Sequence, residues 1–258
     1  HRQMCIRDRH ITGKIIHNNN EAIMNKKLFK TITIAAVLCV LWPTSSAFAK
    51  ESYDDKLSNF ANALPYYVNK EKLDKSVQEI AQYHHWSKEK VLDAEMELLQ
   101  NPNINKYQQD KSSSPATIAL PNAQHRGDFY FTPAGLHGHT GIYSQKNKIV
   151  EAVGSGEVAR EKLAFKTLVA PGAIIRSVNT SNANRAKAAD RARTYIGRGY
   201  NDAFWQPNKN DWGGLHCAQL VWASYKYGAG IDIDDGNDEL VWPWDLEKTT
   251  KATTYRKL

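Results

Sequence analysis

Cys217 is the residue whose type and position could most readily perform chemistry. It follows the pair Gly213-Gly214, and a helix that Gly228 ends is predicted to begin at the cysteine itself. Because a helix N-terminus presents unpaired amides and a partial positive charge, it lowers the pKa of a thiol placed there. Those amides can also hold the oxyanion that forms when sulfur attacks a carbonyl carbon. The position predicts a nucleophile, with a small buried hydrophobic residue as the alternative.

A thiolate nucleophile needs a base, and His139 is predicted to supply it. It begins a buried-looking strand, Thr140-Gly141-Ile142-Tyr143, which would hold the imidazole rigidly. If Ser144 pairs with Lys148 across a three-residue turn, Glu151 shares a face of the hairpin with His139 and can orient the ring. A two-residue turn would put Glu151 on the opposite face, and a solvent-facing glutamate remains the alternative.

A metal site is the first rival interpretation of the same residues. His137 and His139 flank Gly138, and His216 adjoins Cys217, so the four side chains could converge. Their spacing matches no strong zinc pattern. We therefore expect neither a metal nor another cofactor.

Aromatic residues near the nucleophile predict a substrate groove. Tyr200, Trp205 and Trp212 all lie in the loop that precedes Cys217, where they could line the groove. Packing over the neighbouring alanine-rich helix would explain them equally well. Asp128 is predicted to contact substrate or to make a structural hydrogen bond near the site.

The predicted secondary structure indicates an α+β fold, because strands and helices are mixed without regular alternation. Helical spacing in residues 50–100 predicts a small helical region whose apolar stripe docks on the main region, 118–258, across a polar linker at 101–117. In the main region the predicted strands are 127–131, 140–144, 149–153, 173–178 and 253–256, with helices at 181–196 and from 217.

The first 49 residues indicate export. Residues 24–49 carry a basic start, a short apolar core and a small-x-small cleavage site, which predict a signal peptide cut after Ala49. Residues 1–23 are expected to be a non-native upstream segment. We expect a secreted or periplasmic protein with no stable membrane insertion after cleavage.

Charge and cysteine content exclude other classes. Residues 1–49 contain seven of the 34 Lys and Arg residues and two of the 27 acidic residues, so residues 50–258 carry only +2. Such a balance gives no electrostatic case for nucleic acid. Cys217 is the one cysteine after the signal peptide, so no intramolecular disulfide can form there.

The ordered set of motifs resembles one known family. Gly127-Asp128, His139-Thr140-Gly141-Ile142-Tyr143, Val150-Glu151-Ala152 and His216-Cys217-Ala218-Gln219-Leu220-Val221-Trp222 occur in that order. The set is similar to the permuted NlpC-type papain-like amidases of the YiiX/YaeF group over about residues 118–250. The resemblance implies a permuted papain-like domain with an antiparallel sheet and packed helices. By the same resemblance, Cys217 is the nucleophile, His139 the general base and acid, and Glu151 the orienting carboxylate.

One departure from that family lies around the nucleophile, where Tyr-Cys-Ser-Glu-Leu is usual and this chain has His-Cys-Ala-Gln-Leu. The departure concerns the oxyanion site and the substrate pocket. The sequence predicts a secreted thiol hydrolase that cleaves amide or peptide bonds in cell-wall peptides or related small amides. The alternatives are a lipid-directed acyltransferase or hydrolase on the same fold and a non-catalytic envelope-binding module. The oligomeric state is not predicted.

Overall fold

The computed structural model describes residues 51–65, 67–100, 117–154, 156–203 and 205–258. The predicted signal peptide, the upstream segment 1–23 and residues 101–116 of the predicted linker lie outside these ranges. All described residues belong to one compact unit.

A six-stranded antiparallel sheet supports the site. Its strands are β2 (Phe129–Thr132), β3 (His139–Gln145), β4 (Lys148–Glu151), β5 (Arg160–Leu163), β7 (Ile174–Val178) and β8 (Ala252–Lys257). Their spatial order is β5-β4-β3-β2-β7-β8, and every neighbouring pair is antiparallel. A separate short pair joins β1 (Ile118–Ala119) to β6 (Leu168–Val169). The α+β class is confirmed, whereas the permuted papain-like topology stays a prediction.

Two apolar layers enclose this sheet, because successive side chains along a strand point to opposite faces. Two helices, α4 (Asn182–Arg193) and α5 (Cys217–Ala229), pack in one layer, and the segments around β1 and β6 pack in the other. Fully buried members are Phe129, Ile142 and Val150 in the helical layer, and Tyr130, Tyr143 and Ile149 in the other.

The β3–β4 hairpin has the predicted register but a different turn. Ile142 pairs with Val150, as the three-residue turn required, yet Gln145 pairs with Lys148 across a two-residue turn. A β-bulge at Ser144 absorbs the extra residue. Since a bulge sets two residues against one, it cancels the reversal of faces that the shorter turn would cause. The predicted turn was therefore wrong, and the predicted face was right.

Two helix boundaries differ from the sequence prediction. The helix α5 runs through Gly228 and is capped by Gly230, which has a left-handed conformation with φ of 70°. A glycine is required inside the helix at position 228 because a β-carbon there would approach the carbonyl oxygen of Lys187 on α4 to 2.8 Å. The alanine-rich α4 ends at Arg193, before the predicted end at Ile196.

Three helices, α1 (Tyr53–Ala63), α2 (Lys70–His84) and α3 (Lys88–Gln100), form the helical region. Their apolar faces share a buried cluster with residues of the main region, so the predicted docking is confirmed. The main region contributes α6 (Pro243–Lys248) and the loop that precedes β3 to this contact. Within the described ranges, every helix is too short or too polar to cross a membrane. The docked residues of the main region are Leu136, Trp205, Trp242 and Trp244.

Candidate active site

The thiol of Cys217 lies at the first residue of α5, where the chain turns from a loop into the helix. His216 is the extended N-cap residue, with φ of −83° and ψ of 173°. Its Nδ1 lies 3.3 Å from the Gln219 amide nitrogen, and its own N–H donates to Gln219 Oε1 at 3.4 Å. The first amides of α5 have no acceptor within the helix, and Cys217 belongs to this first turn. Cys217 is buried, with 6% of its surface exposed.

His139 and Cys217 meet through a side-chain hydrogen bond. The histidine is the first residue of β3, and its ring retains 22% of its surface exposed. Its Nε2 lies 3.2 Å from Oε2 of Glu151. Because Nε2 is directed at the carboxylate, Nδ1 is the ring nitrogen left to face the sulfur. The structure therefore brings all three predicted catalytic side chains together.

Glu151 is held by two further donors that the sequence did not reveal. The hydroxyl of Tyr130 donates to Oε2 at 2.6 Å, and Lys162 Nζ lies 2.5 Å from Oε1. The glutamate is almost fully buried. Three donors on one buried carboxylate keep it ionised and fix its position, which in turn fixes the tautomer and plane of His139.

Gly141 makes room for this arrangement. It lies between His139 and the bulge on β3, opposite Glu151. A β-carbon at this position would lie 2.8 Å from the Tyr130 ring and 3.1 Å from Glu151 Cβ. The carboxylate can approach the strand because the residue facing it has no side chain.

The pKa values of the pair are shifted in opposite directions. Burial alone would raise the pKa of the Cys217 thiol, but hydrogen bonds from His139 and His216 outweigh burial and lower it to about 5. Burial alone would lower the pKa of His139, but its hydrogen bonds with Cys217 and Glu151 raise it to about 10. Around neutral pH the pair is therefore a thiolate and an imidazolium.

A buried polar network lies behind the nucleophile. Asn208 Nδ2 lies 2.7 Å from His216 Nε2. Gln219 Oε1 accepts a hydrogen bond from Asn201 Nδ2 at 3.1 Å, and Gln219 Nε2 donates to the backbone and side-chain oxygens of Asn210, both at 3.2 Å. These contacts join the preceding loop to the first turn of α5. The amide of Gln219 supplies both a donor and acceptors to the network, which a glutamate could not do.

The three predicted groove aromatics have different surroundings. Tyr200 lies near the sulfur, and burial, followed by the negative charge of Cys217, raises the pKa of its hydroxyl well above 10. Its hydroxyl therefore keeps its hydrogen at neutral pH and can donate a hydrogen bond. Trp205 is buried instead, with its ring centroid 5.5 Å from that of Phe60 under the helical region. Trp212 is 74% exposed and free to contact a ligand.

Asp128 lies at the far end of β2 from the site. Its carboxylate accepts hydrogen bonds from the His125 amide at 2.9 Å and the Tyr255 hydroxyl at 2.8 Å. His139 pairs with Thr132 at the other end of this strand, about 13 Å away for four residues of extended chain. The carboxylate thus has the structural role that was the alternative to substrate contact.

The histidines of the rival metal site point to different partners. His137 Nε2 lies 2.6 Å from Glu95 Oε1, and its ring stacks on Trp242 with centroids 5.5 Å apart. His216 is bound by Asn208. Among the described residues, no group of three or more His, Cys, Asp or Glu side chains could hold a metal ion.

Comparison with known proteins gives a similar chain of unknown activity. No protein-family model matches the sequence. The chain is 27% identical over 249 residues to the uncharacterized protein YycO of Bacillus subtilis (strain 168). This alignment covers 89% of the present chain and 97% of YycO. A crystal structure of the metalloprotein yiiX from Escherichia coli O157:H7 aligns with a TM-score of 0.38 and 16% identity, over 52% of this chain and 97% of that one.

Proposed function

We propose that this protein is a cysteine hydrolase that cleaves amide bonds through an acyl-enzyme. One observation carries the proposal: a thiol at a helix N-terminus is hydrogen-bonded to an imidazole that a buried glutamate holds. Cys217 is the nucleophile, His139 the acid and base, and Glu151 the group that orients His139. An imidazole without the sulfur, or a sulfur without the imidazole, could not perform both halves of the reaction.

In the first half, the Cys217 thiolate attacks the carbonyl carbon of the scissile amide. The oxyanion that forms accepts hydrogen bonds from the first amides of α5, and the Tyr200 hydroxyl is a further donor within reach. The His139 imidazolium gives its Nδ1 proton to the departing amine as the carbon–nitrogen bond breaks. The products of this half are a thioester on Cys217 and a free amine.

In the second half, neutral His139 removes a proton from a water molecule, whose oxygen attacks the thioester carbonyl. Collapse of the tetrahedral intermediate breaks the carbon–sulfur bond and releases a carboxylic acid. The proton taken from water stays on His139, so the thiolate–imidazolium pair is restored. Glu151 stays ionised throughout, because Lys162 and Tyr130 hold its two oxygens.

We place this activity outside the cytoplasm, on cell-wall peptides or related small amides. The signal-like sequence at residues 24–49 supports export, and Trp212, exposed in the loop that leads to Cys217, is a side chain that an extended ligand could contact. The location is tested by expressing the full chain in a bacterium and determining the N-terminus of the protein outside the cytoplasm. A start at Lys50 is expected, and a chain that stays inside the cell contradicts export.

The chemistry is tested by incubating the full chain with cell-wall digests and following new amino groups and the intact protein mass. We expect amine release and an acyl adduct on Cys217, and neither with Cys217→Ala. A Cys217→Ala variant that still hydrolyses amides would end the proposal. Transfer of a fatty acyl group to Cys217 without amine release would favour the lipid-directed alternative, and ligand binding without either reaction would favour the non-catalytic module.

A further inference from the structure

Trp212 presents a large apolar surface to solvent, with 74% of its surface exposed. A flexible loop would account for such exposure, but the stretch that carries the ring, residues 210–213, is fixed. Each residue of this stretch takes part in a hydrogen bond that involves a side chain. The backbone N–H of Trp212 itself donates to Asn210 Oδ1 at 3.3 Å. An exposed ring on a fixed backbone loses little conformational freedom when a ligand covers it.

Two arginines hold the middle and the end of the stretch. Arg191 of α4 pairs with the carboxylate of Asp211, which also accepts a hydrogen bond from the Tyr195 hydroxyl at 3.4 Å. The carbonyl oxygen of Gly213 accepts a hydrogen bond from Arg198 Nε at 2.8 Å. Because both arginines are partly exposed, water can replace either contact at a small cost in free energy.

The start of the stretch depends on Gln219 of α5, whose side chain is fully buried. Its Nε2 donates to the backbone oxygen and to Oδ1 of Asn210, both at 3.2 Å. Its Oε1 accepts from the backbone N–H of His216 at 3.4 Å and from Asn201 Nδ2 at 3.1 Å. A side-chain amide has two donors and two acceptor sites, so all four are used.

Backbone groups fix which way the Gln219 amide points. The carbonyl oxygen of Asn210 can only accept and the N–H of His216 can only donate, so the amide cannot be turned over. The N–H of Trp212 in the same way fixes Oδ1 of Asn210. A carboxylate at position 219 would therefore place an oxygen against two oxygens of Asn210, with no hydrogen between them.

We propose that Gln219 is a positioning residue, which holds Trp212 ready for an extended peptide substrate by fixing Asn210. The proposal rests on the proposed hydrolase function and extends it to substrate affinity. Trp212 lies five residues before Cys217, so the two Cα atoms are at most about 18 Å apart. An extended peptide of about five residues spans that distance, so a chain bound at the sulfur can also reach the ring.

Affinity rather than chemistry is the quantity that Gln219 is expected to set. Its hydrogen bonds lead to the loop and to the N-cap of α5, whereas Glu151 holds His139 from the sheet. A mutation that raises KM at unchanged kcat removes binding that is equal in the ground and transition states. This is the result expected when a ring that binds substrate, but takes no part in the reaction, is displaced.

Gln219→Glu is the sharpest variant, because it keeps Oε1 and changes only the group that faces Asn210. With a cross-linked peptide purified from a cell-wall digest, KM should rise about tenfold, and kcat should stay within about twofold. Gln206→Glu is the matched control: Gln206 lies in the same loop and donates to the carbonyl oxygen of Tyr67 at 2.9 Å. Its KM should stay within about twofold, and an equal rise in both variants would overturn the proposal.

Trp212→Ala, at an exposed position, tests the ring without disturbing the buried amides. It should raise KM by a similar factor, and adding Gln219→Glu should raise KM no further, because the amide acts through the ring. Full additivity of the two changes would contradict this link. Calorimetry in the Cys217→Ala background gives the dissociation constant of the same peptide, which should follow the same pattern without turnover.

Hydrogen exchange tests the fixed stretch without any peptide. In Gln219→Glu, the backbone amides of residues 210–213 should exchange about tenfold faster than in the wild type. Asn210→Ala, which removes one acceptor of the Gln219 amide, should act in the same direction. Equal exchange rates in the wild type and in folded Gln219→Glu would overturn the positioning role.

These outcomes separate the two proposals. A chain that binds the peptide with an affinity that depends on Gln219 and Trp212, but does not hydrolyse it, would remove the hydrolase function and leave the positioning role. Hydrolysis with one KM in the wild type, Gln219→Glu and Trp212→Ala would do the reverse. A chain that neither binds nor hydrolyses the peptide would remove both.

Discussion

His137 and His139 lie two residues apart along the chain, and each is paired with a buried glutamate. Only one of these two pairs also lies next to a thiol. His137 Nε2 lies 2.6 Å from Glu95, and His139 Nε2 lies 3.2 Å from Glu151. Each glutamate, Glu95 and Glu151, has only 2% of its surface exposed. By residue type, distance and burial of the carboxylate, the two pairs are nearly interchangeable.

Their surroundings differ. The His137 ring stacks on Trp242 and stands edge-on to Trp205, where the helical region docks on the main region. The second nitrogen of His139 faces the thiol of Cys217. An imidazole–carboxylate pair is therefore a general way to satisfy buried polar groups, and only the neighbouring thiol supports the catalytic role that we propose for His139 and Glu151.

Exchanging the two histidines for alanine should give the largest contrast. His139→Ala removes the acid and base of both half-reactions, so amide hydrolysis should fall by about 10³-fold. His137→Ala, the matched control, should keep the rate per folded molecule within a few-fold. Steady-state rates on one peptide amide measure both variants, and equal losses would contradict a catalytic role for His139 alone.

The two glutamates should separate activity from stability. Glu151→Gln weakens the support of the His139 imidazolium, and hydrolysis should fall by about 10²-fold. Glu95→Gln removes a buried charge that holds the helical region to the loop before β3, so the free energy of unfolding should fall by about 1–3 kcal/mol with little loss of rate. Urea unfolding beside rate measurements tests both, and a slow but fully stable Glu95→Gln variant would contradict us.

A smaller effect is expected at Lys162. Its ammonium group helps to keep Glu151 ionised from the side opposite His139. Lys162→Met should therefore lower the rate by about tenfold or less, because Tyr130 and His139 still bind the carboxylate. Lys148→Met, on the neighbouring strand, is the control: its ammonium pairs with Glu161 instead. A loss in both variants alike would indicate a general effect of surface charge.

The shifted pKa values also predict how the stability of the fold depends on pH. The Cys217 pKa is lowered from 9.0 to about 5, so the unfolded state binds the extra proton between these values and stability rises with pH. The His139 pKa is raised from 6.5 to about 10, so stability falls with pH across that window. The two trends cancel between pH 6.5 and 9. The free energy of unfolding should therefore rise by about 2 kcal/mol from pH 5 to 6.5 and fall above pH 9.

Urea unfolding of the wild type across pH 4 to 10 measures this profile. Cys217→Ala should lose the rise at low pH, whereas His137→Ala should keep it. A wild-type profile that falls steadily from pH 5 upward would show that the sulfur holds its proton in the folded state.

The nucleophile and its partners could be located from the sequence because residue types and strand spacing constrain them. Cys217 at a predicted helix start and His139 at a predicted strand start both lie where expected. Glu151 was placed on the right face through the wrong turn, since the bulge at Ser144 leaves no signal in the local composition. Their catalytic roles stay a proposal that the geometry supports.

The positions of other residues in and near the site could not be predicted from the sequence. Lys162 lies on β5, whose residues Arg160–Leu163 alternate charge without a clear apolar face, so no strand was predicted there. Trp205 was assigned to a groove because it is close to Cys217 along the chain, but it packs under the helical region with Trp242. Tertiary packing determines where such residues lie, and closeness along the sequence does not predict that packing.

The charges around Glu151 have a consequence for timing. At neutral pH the buried site holds two cations, Lys162 and His139, and two anions, Glu151 and Cys217, so it is electrically balanced. In the proposed reaction, attack by the sulfur moves the negative charge from the atom that faces His139 to the carbonyl oxygen of the substrate. Because His139 then loses the neighbouring anion that stabilised its proton, it becomes a stronger acid at the step in which the leaving amine requires a proton.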